Sequence, residues 1–233
     1  MWAESSETAE YWVMRRMTKA SLTLAVLALA GCATGLPARS GPERGGIGIS
    51  VNVRSPIGLP IFTRESQRVY FVRVDGEKGL FAQDHVILSN YFADGWVYLL
   101  DAPPGRYAAV ASVSSKQGRD DVIVFPEQLI EATVVTVSPG AMAFMGEYLI
   151  KPSYGVGDAD VAQRHYLKVI RPSAIIGFTA TLPTNVMFYK GSALQAQRDQ
   201  ATEMRFLRTT AGHLQGTDWN GLLDRWTKDL KGR

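Results

Sequence analysis

One cysteine and three histidines in 233 residues leave little material for metal or redox chemistry. A single Cys forms no internal disulfide, and structural zinc sites take two to four Cys. His85, His165 and His213 stand far apart, so no His-rich metal cluster and no cofactor is expected. Charge of one sign is scarce as well: 25 Lys and Arg against 22 Asp and Glu give a net charge of only +3. That excess is too small and too scattered for a nucleic-acid footprint, which gathers basic residues on one face. The chain also lacks a Gly-x-Ser-x-Gly elbow, a Walker loop and a His-Glu-x-x-His helix. With 46% hydrophobic and 20% charged residues, it is neither a disordered chain nor a multi-span membrane protein. Its length suits one domain, or one domain with a small appendage.

What is present begins near the N-terminus. Arg15, Arg16 and Lys19 form a basic patch, followed from Ala20 to Ala30 by an uncharged run containing Leu22, Leu24, Val26, Leu27 and Leu29. A run of about 11 residues falls well short of the roughly 20 that a membrane-spanning helix needs. It stops at Leu29-Ala30-Gly31-Cys32, where small residues precede a thiol able to carry a diacylglycerol. The segment resembles the bacterial lipoprotein signal peptide, whose lipobox is Leu-Ala/Ser-Gly/Ala-Cys. The resemblance implies cleavage between Gly31 and Cys32, lipid attachment at Cys32 and a membrane-anchored protein of the cell envelope. Ala33, where an Asp would retain a lipoprotein at the inner membrane of a Gram-negative cell, implies the outer membrane facing the periplasm. Residues 1–13 hold three Glu and no Lys or Arg, which suits a true start at Met14 or Met17.

After the signal peptide (1–31), residues 32–46 read as a flexible tether, because 33–46 contain four Gly and two Pro without apolar periodicity. Gly45-Gly46-Ile47-Gly48 has the composition of a dinucleotide loop, but no strand precedes it and it is assigned to the tether. From Ile47 onward short apolar runs alternate with turn residues. They predict strands at Ile47–Arg54, Arg68–Asp75, Gly95–Leu100, Arg106–Ser114, Asp121–Phe125, Ala132–Ser138, Met142–Lys151 and Gln163–Arg171. No helical period lasts three turns between 47 and 171, and Ala174–Leu182 reads as one more buried strand. Asp101-Ala102-Pro103-Pro104-Gly105 and Ser138-Pro139-Gly140 read as tight turns with Pro second and Gly at positive φ. Leu100, Pro104, Gly105 and Tyr107, with the later Gly140 to Gly146-Glu147 strand, make this region similar to the transthyretin-like, or carboxypeptidase-regulatory-like, β-sandwich family. The fold class expected is therefore mainly β: an antiparallel β-sandwich over 47–182, then a C-terminal helical hairpin within 183–233. In that appendage Arg198–Leu214 places Ala201, Met204, Leu207, Ala211 and Leu214 on one face. Beyond a break at Gly216-Thr217-Asp218, Trp219, Leu222, Leu223, Trp226 and Leu230 form a second apolar stripe.

Candidates for chemistry are sparse. His85, beside Asp84, could serve as a general base, though no nucleophile accompanies it. Asp120-Asp121 and Asp158-x-Asp160 offer oxygens to calcium but lack EF-hand spacing and read as turn acids. Tyr91, Phe92, Trp96, Tyr98 and Tyr107 either floor a groove or fill two faces of a sheet, and the alternation in Trp96–Leu100 favours filling. Two functions follow. The first is a lipid-anchored envelope module that binds or supports through a protein partner, with no catalytic residues and no nucleic-acid role. The alternative is an envelope hydrolase whose site is assembled from loops.

Overall fold

The computed structural model describes residues 35–54, 63–74, 86–155, 157–165 and 185–231. They form a mainly β protein with eleven strands in one sheet and four helices among the described residues. In chain order the strands are β1 (Gly45–Arg54), β2 (Thr63–Glu65), β3 (Arg68–Arg73), β4 (Val86–Leu88), β5 (Tyr91–Ala93), β6 (Trp96–Ala102), β7 (Gly105–Lys116) and β8 (Arg119–Val124). Helix α1 (Glu127–Ala132), β9 (Val135–Val137), β10 (Met142–Ser153), α2 (Asp158–His165), β11 (Val186–Gln197), α3 (Gln200–Leu214) and α4 (Asn220–Lys231) follow. None of the described helices is long and apolar enough to cross a membrane.

The sheet runs β4-β3-β7-β8-β11-β10-β1-β6-β5, with β2 also on β1 and β9 also on β7. It is mixed, not antiparallel throughout: β1 lies parallel to β10, and β8 parallel to β11. Strand periodicity is the same whichever way a neighbour runs, so the sequence pattern carries no trace of this difference. The path is also curled. The run from Thr63 to Arg73 pairs first with β1, through Arg64 opposite Val53, and then with β7, through Val69 opposite Ser112. At the bend Ser66 N donates to Val51 O (2.8 Å) and Gln67 N to Val113 O (2.9 Å). One bent segment thus joins strands that the linear order keeps apart.

Strand β1 shows why the sheet needs two coverings. Residues paired across a ladder share a face, and β1 alternates small and large: Gly46, Gly48 and Ser50 on one side, Ile47, Ile49, Val51 and Val53 on the other. All seven are buried. The branched set joins Val97, Leu99, Met145, Tyr148, Ile150, Phe71 and the small residues of β7 in the main core. The small set faces α3. Phe206 packs over Gly48 within a cluster of Trp96 (4.7 Å between centroids), Phe144 (5.2 Å), Tyr98 (5.8 Å) and Trp226 (5.4 Å). A Cβ on Gly48 would fall within the Phe206 ring. Beneath the helix the Tyr98 hydroxyl meets Thr210 Oγ1 at 3.0 Å, and Arg205 grips Glu147 of β10 through Nε (3.0 Å) and Nη2 (2.5 Å).

The helical hairpin forms as the sequence indicates, but its faces and its limits differ. Helix α3 buries Thr202, Phe206, Leu207, Thr210 and Leu214, so the stripe is rotated from the expected one and Ala201 is exposed. Two threonines are tolerated inside because their hydroxyls are occupied: Thr210 by Tyr98, and Thr202 by Asp199, whose Oδ1 also caps the helix through Thr202 N (2.8 Å). Helix α4 sets Leu222 and Leu223 into the body, as does Trp219 just before it, all at 1–2% exposure, a burial that contributes several kcal/mol at ~25 cal/mol per Å². Residues 183–233 are more than a helical appendage, however, since β11 lies between β8 and β10 in the middle of the sheet. The strand expected at Gln163–Arg171 is also corrected: Gln163, Arg164 and His165 end α2, and 166–171 lie outside the described residues, as does Ala174–Leu182.

The segment read as a tether is bound down from Pro37 on. Trp219 Nε1 donates to Pro37 O (2.9 Å), and Asp101 Oδ1 accepts from Ser40 N (2.8 Å) and Ser40 Oγ (3.0 Å). Gly45 and Gly46 belong to β1. Of the two Pro-Gly turns, Ser138–Ala141 closes as expected, with Ala141 N on Ser138 O (3.1 Å) and Gly140 at φ 63°. The other differs. Strands β6 and β7 are not neighbours, so Pro103-Pro104 carries the chain from one part of the sheet to another, held by Tyr107 OH on Pro103 O (2.8 Å). Gly105 does take a positive φ (152°), as expected, and so does Asp101 (φ 63°), the extra residue where β6 bulges between Leu100 and Ala102.

Gly48→Ala should overpack this junction and lower stability by roughly 1–3 kcal/mol. Chemical denaturation of Gly48→Ala, Phe206→Leu and the double variant checks it. The double variant should lose less than the sum of the two, and strict additivity would mean that the ring and the glycine do not press on each other.

Candidate functional site

Gly31, Cys32 and His85 lie outside the described residues. The other residues singled out from the sequence do not converge. Trp96 and Tyr98 lie under α3, and Tyr107 is in the main core, so these rings fill the two faces. His213 Nε2 stands 2.9 Å from Asp94 Oδ2 without the alignment of a hydrogen bond. Asp158 opens α2 and accepts from Ser153 Oγ. Among the described residues no three His, Cys, Asp or Glu are grouped as a metal site would require.

Asp120 and Asp121 prove to be structural clamps on β8 rather than turn acids. Adjacent residues of a strand face opposite ways, and each carboxylate holds an arginine of the bent 63–73 run. Asp120 Oδ2 accepts from Arg68 Nη2 (2.7 Å), and its Oδ1 from Ser115 Oγ (2.6 Å). Asp121 Oδ2 accepts from Arg64 Nη1 (3.1 Å), and its Oδ1 from Arg119 Nε (3.1 Å). Burial alone would raise the Asp120 carboxyl, but the bonds from Ser115 and Arg68 outweigh it and the group titrates below its ordinary 3.8.

The Asp121 side of this arrangement opens into a cleft of about 200 Å³. Register explains how it is assembled. Ser114 pairs with Asp121, Ser112 with Ile123, Ile123 with Tyr189, Val53 with Ile150 and with Arg64, so all these side chains face the inside of the curl. Ile123 and Val53 form the apolar floor, while Arg54, Arg64, Arg119, Tyr154 and Tyr189 line the rest. Asp121, only 8% exposed, spends both oxygens on Arg64 and Arg119. It thereby fixes two guanidiniums whose remaining N–H groups are unspent on it, each guanidinium carrying five. Arg54 makes no ion pair among the described residues. Tyr154 and Tyr189 stand 5.1 Å apart with rings inclined by 60°. Burial first raises both phenols, helped at Tyr154 by Tyr189 and then Asp121 and at Tyr189 by Asp121, despite Arg64 and Arg119, so both are neutral hydrogen-bond donors at physiological pH. Chemically the cleft can hold and orient. Its one carboxylate accepts a guanidinium bond on each oxygen and so serves to position those arginines.

None of these five residues stands out in the sequence. Arg54, Arg64, Arg119, Tyr154 and Tyr189 come from five separate stretches, and only the strand pairing brings them together. The one local signal was Asp120-Asp121 on an otherwise apolar strand. No protein-family model, curated protein or solved structure matches this chain.

The depressed Asp120 carboxyl makes a stability contribution that is complete above pH 3.8 and is lost as pH falls through its lower folded value. Asp120→Asn should therefore lower the urea midpoint at pH 7 and have a much smaller effect at pH 2.5. An equal effect at both pH values would show that the ionised form contributes nothing.

Proposed function

We propose that this chain is a lipid-anchored lipoprotein of the cell envelope, tethered through Cys32 and acting as a binding module. The observation that carries the binding half is the Asp121-clamped cleft, a small preformed concavity in which Arg64 and Arg119 are held in place before any ligand arrives. Preformed clefts with a few oriented polar groups are the usual form of a ligand site, and fixing the side chains in advance lowers the entropic cost of binding. The anchor half rests on the lipobox resemblance, with Ala33 favouring the outer membrane. A protein partner in the envelope fits the same reading, since a tethered domain meets its partners at high effective concentration.

Two measurements test it. Cys32→Ala should move the protein from the membrane to the soluble fraction, because two or three acyl chains anchor stably and their loss leaves nothing equivalent; sedimentation with membranes at high salt would refute the anchor. Thermal melting against a library of small polar molecules should find compounds that stabilise the wild type and have less effect on Tyr154→Ala. A library that stabilises neither, or both alike, would refute the cleft as a ligand site.

A further inference from the structure

Resting on the reading of the cleft as a ligand site, the geometry points to its ligand class: we propose that it takes a small, soluble organic anion, a phosphate or carboxylate carried on a flat ring. Arg54, Arg64 and Arg119 stand against the single carboxylate of Asp121, which leaves two positive charges uncompensated within the cleft. Asp121 engages Arg119 through Nε and Arg64 through one Nη, so the opposite edges of both forks remain for planar, bidentate recognition of an oxyanion. A cation would meet three guanidiniums and a carboxylate already occupied on both oxygens. The ring requirement comes from Tyr154 and Tyr189. The two rings already touch, 5.1 Å apart and inclined by 60°, and Tyr154, at 52% exposure, keeps ring surface on which a flat group can pack. Size is set by the volume: about 200 Å³ lies below the usual range of drug-sized sites and suits a single small ring with its acidic group.

Calorimetric titration of the full chain with phenyl phosphate, benzoate, inorganic phosphate and neutral benzyl alcohol tests the assignment. Phenyl phosphate or benzoate should bind, more weakly as salt rises, and benzyl alcohol at least tenfold more weakly. Arg54→Ala, which leaves the Asp121 clamp intact, should weaken the anion about tenfold, as expected for losing one charged hydrogen-bond donor, without altering the melting temperature of the free protein. Tyr154→Leu should weaken phenyl phosphate while leaving inorganic phosphate unchanged, which separates the ring from the charge. The assignment is overturned if Arg54→Ala binds phenyl phosphate like the wild type, if no anion binds, or if the chain responds only to vesicles of phosphatidylglycerol. Should benzyl alcohol bind as tightly as the anions and lose its affinity in Tyr154→Leu, the cleft stays a ligand site and the anion alone is refuted.

Discussion

Strand β1 has to satisfy two interiors at once, and the alternation of Gly or Ser with Ile or Val is how it does so. The branched residues supply volume to the curled side of the sheet. The small ones leave a shallow track on which Phe206 rests, bringing α3 close enough for Tyr98 to reach Thr210 and for Arg205 to reach Glu147. A bulkier residue at Gly48 would lift the helix and expose Trp96, Phe144 and Trp226 together, because all three ring contacts pass through the same phenylalanine. Packing of this density tolerates little displacement. The aromatic layer is thus conditional on an absence of side chain, not on any single strong contact.

The same strand fixes the cleft. Its final residues Val53 and Arg54 pair with β2, and the chain then returns to β7 by way of Ser66 and Gln67. Curling brings the ends of β1, β8, β10 and β11 around one opening, where a hydrophobic floor gives way to charge. Asp120 and Asp121 hold the returning segment from opposite faces of β8. With the Arg64 and Arg119 side chains 40% and 52% exposed, the Arg64–Asp121–Arg119 contacts are screened by solvent and are a poor source of net stability. What they supply is position: two guanidiniums held at one rim, which a hydrophobic substitute could not provide.

Much of the sheet was legible because alternation reports burial directly. Strands β1, β3, β6, β7, β8 and β10 follow runs of Val, Ile, Ala and aromatic residues bounded by turns. Strand β11 escaped because only Phe188 and Gly191 are buried along its twelve residues, so the sequence from Val186 to Gln197 shows no period of two. The α3 stripe was misread because Thr202 and Thr210 count as polar in a sequence, whereas in the fold their hydroxyls are bonded and their methyl groups packed. Direction of pairing was not legible at all. Parallel and antiparallel neighbours demand the same residues, and the crossovers that decide between them depend on contacts nearly a hundred residues apart, as between Ile47 and Ala143. The cleft fell outside sequence reasoning for that reason: charge and ring reach it from five stretches that only the register relates.

The clasp on the chain before β1 has a mechanical meaning. Pro37 is held by Trp219 of the C-terminal helix pair and Ser40 by the bulged Asp101. Tension applied at Pro37 would load these two points and then β1 itself. That strand is bonded on both sides, to β10 and to β6, so a pull along its axis must shear many hydrogen bonds together and cannot peel them one at a time. Survival under force is governed by the rate of such an event rather than by equilibrium stability. A domain hung from a membrane by its N-terminal end would thus carry its load on the strand best placed to bear it.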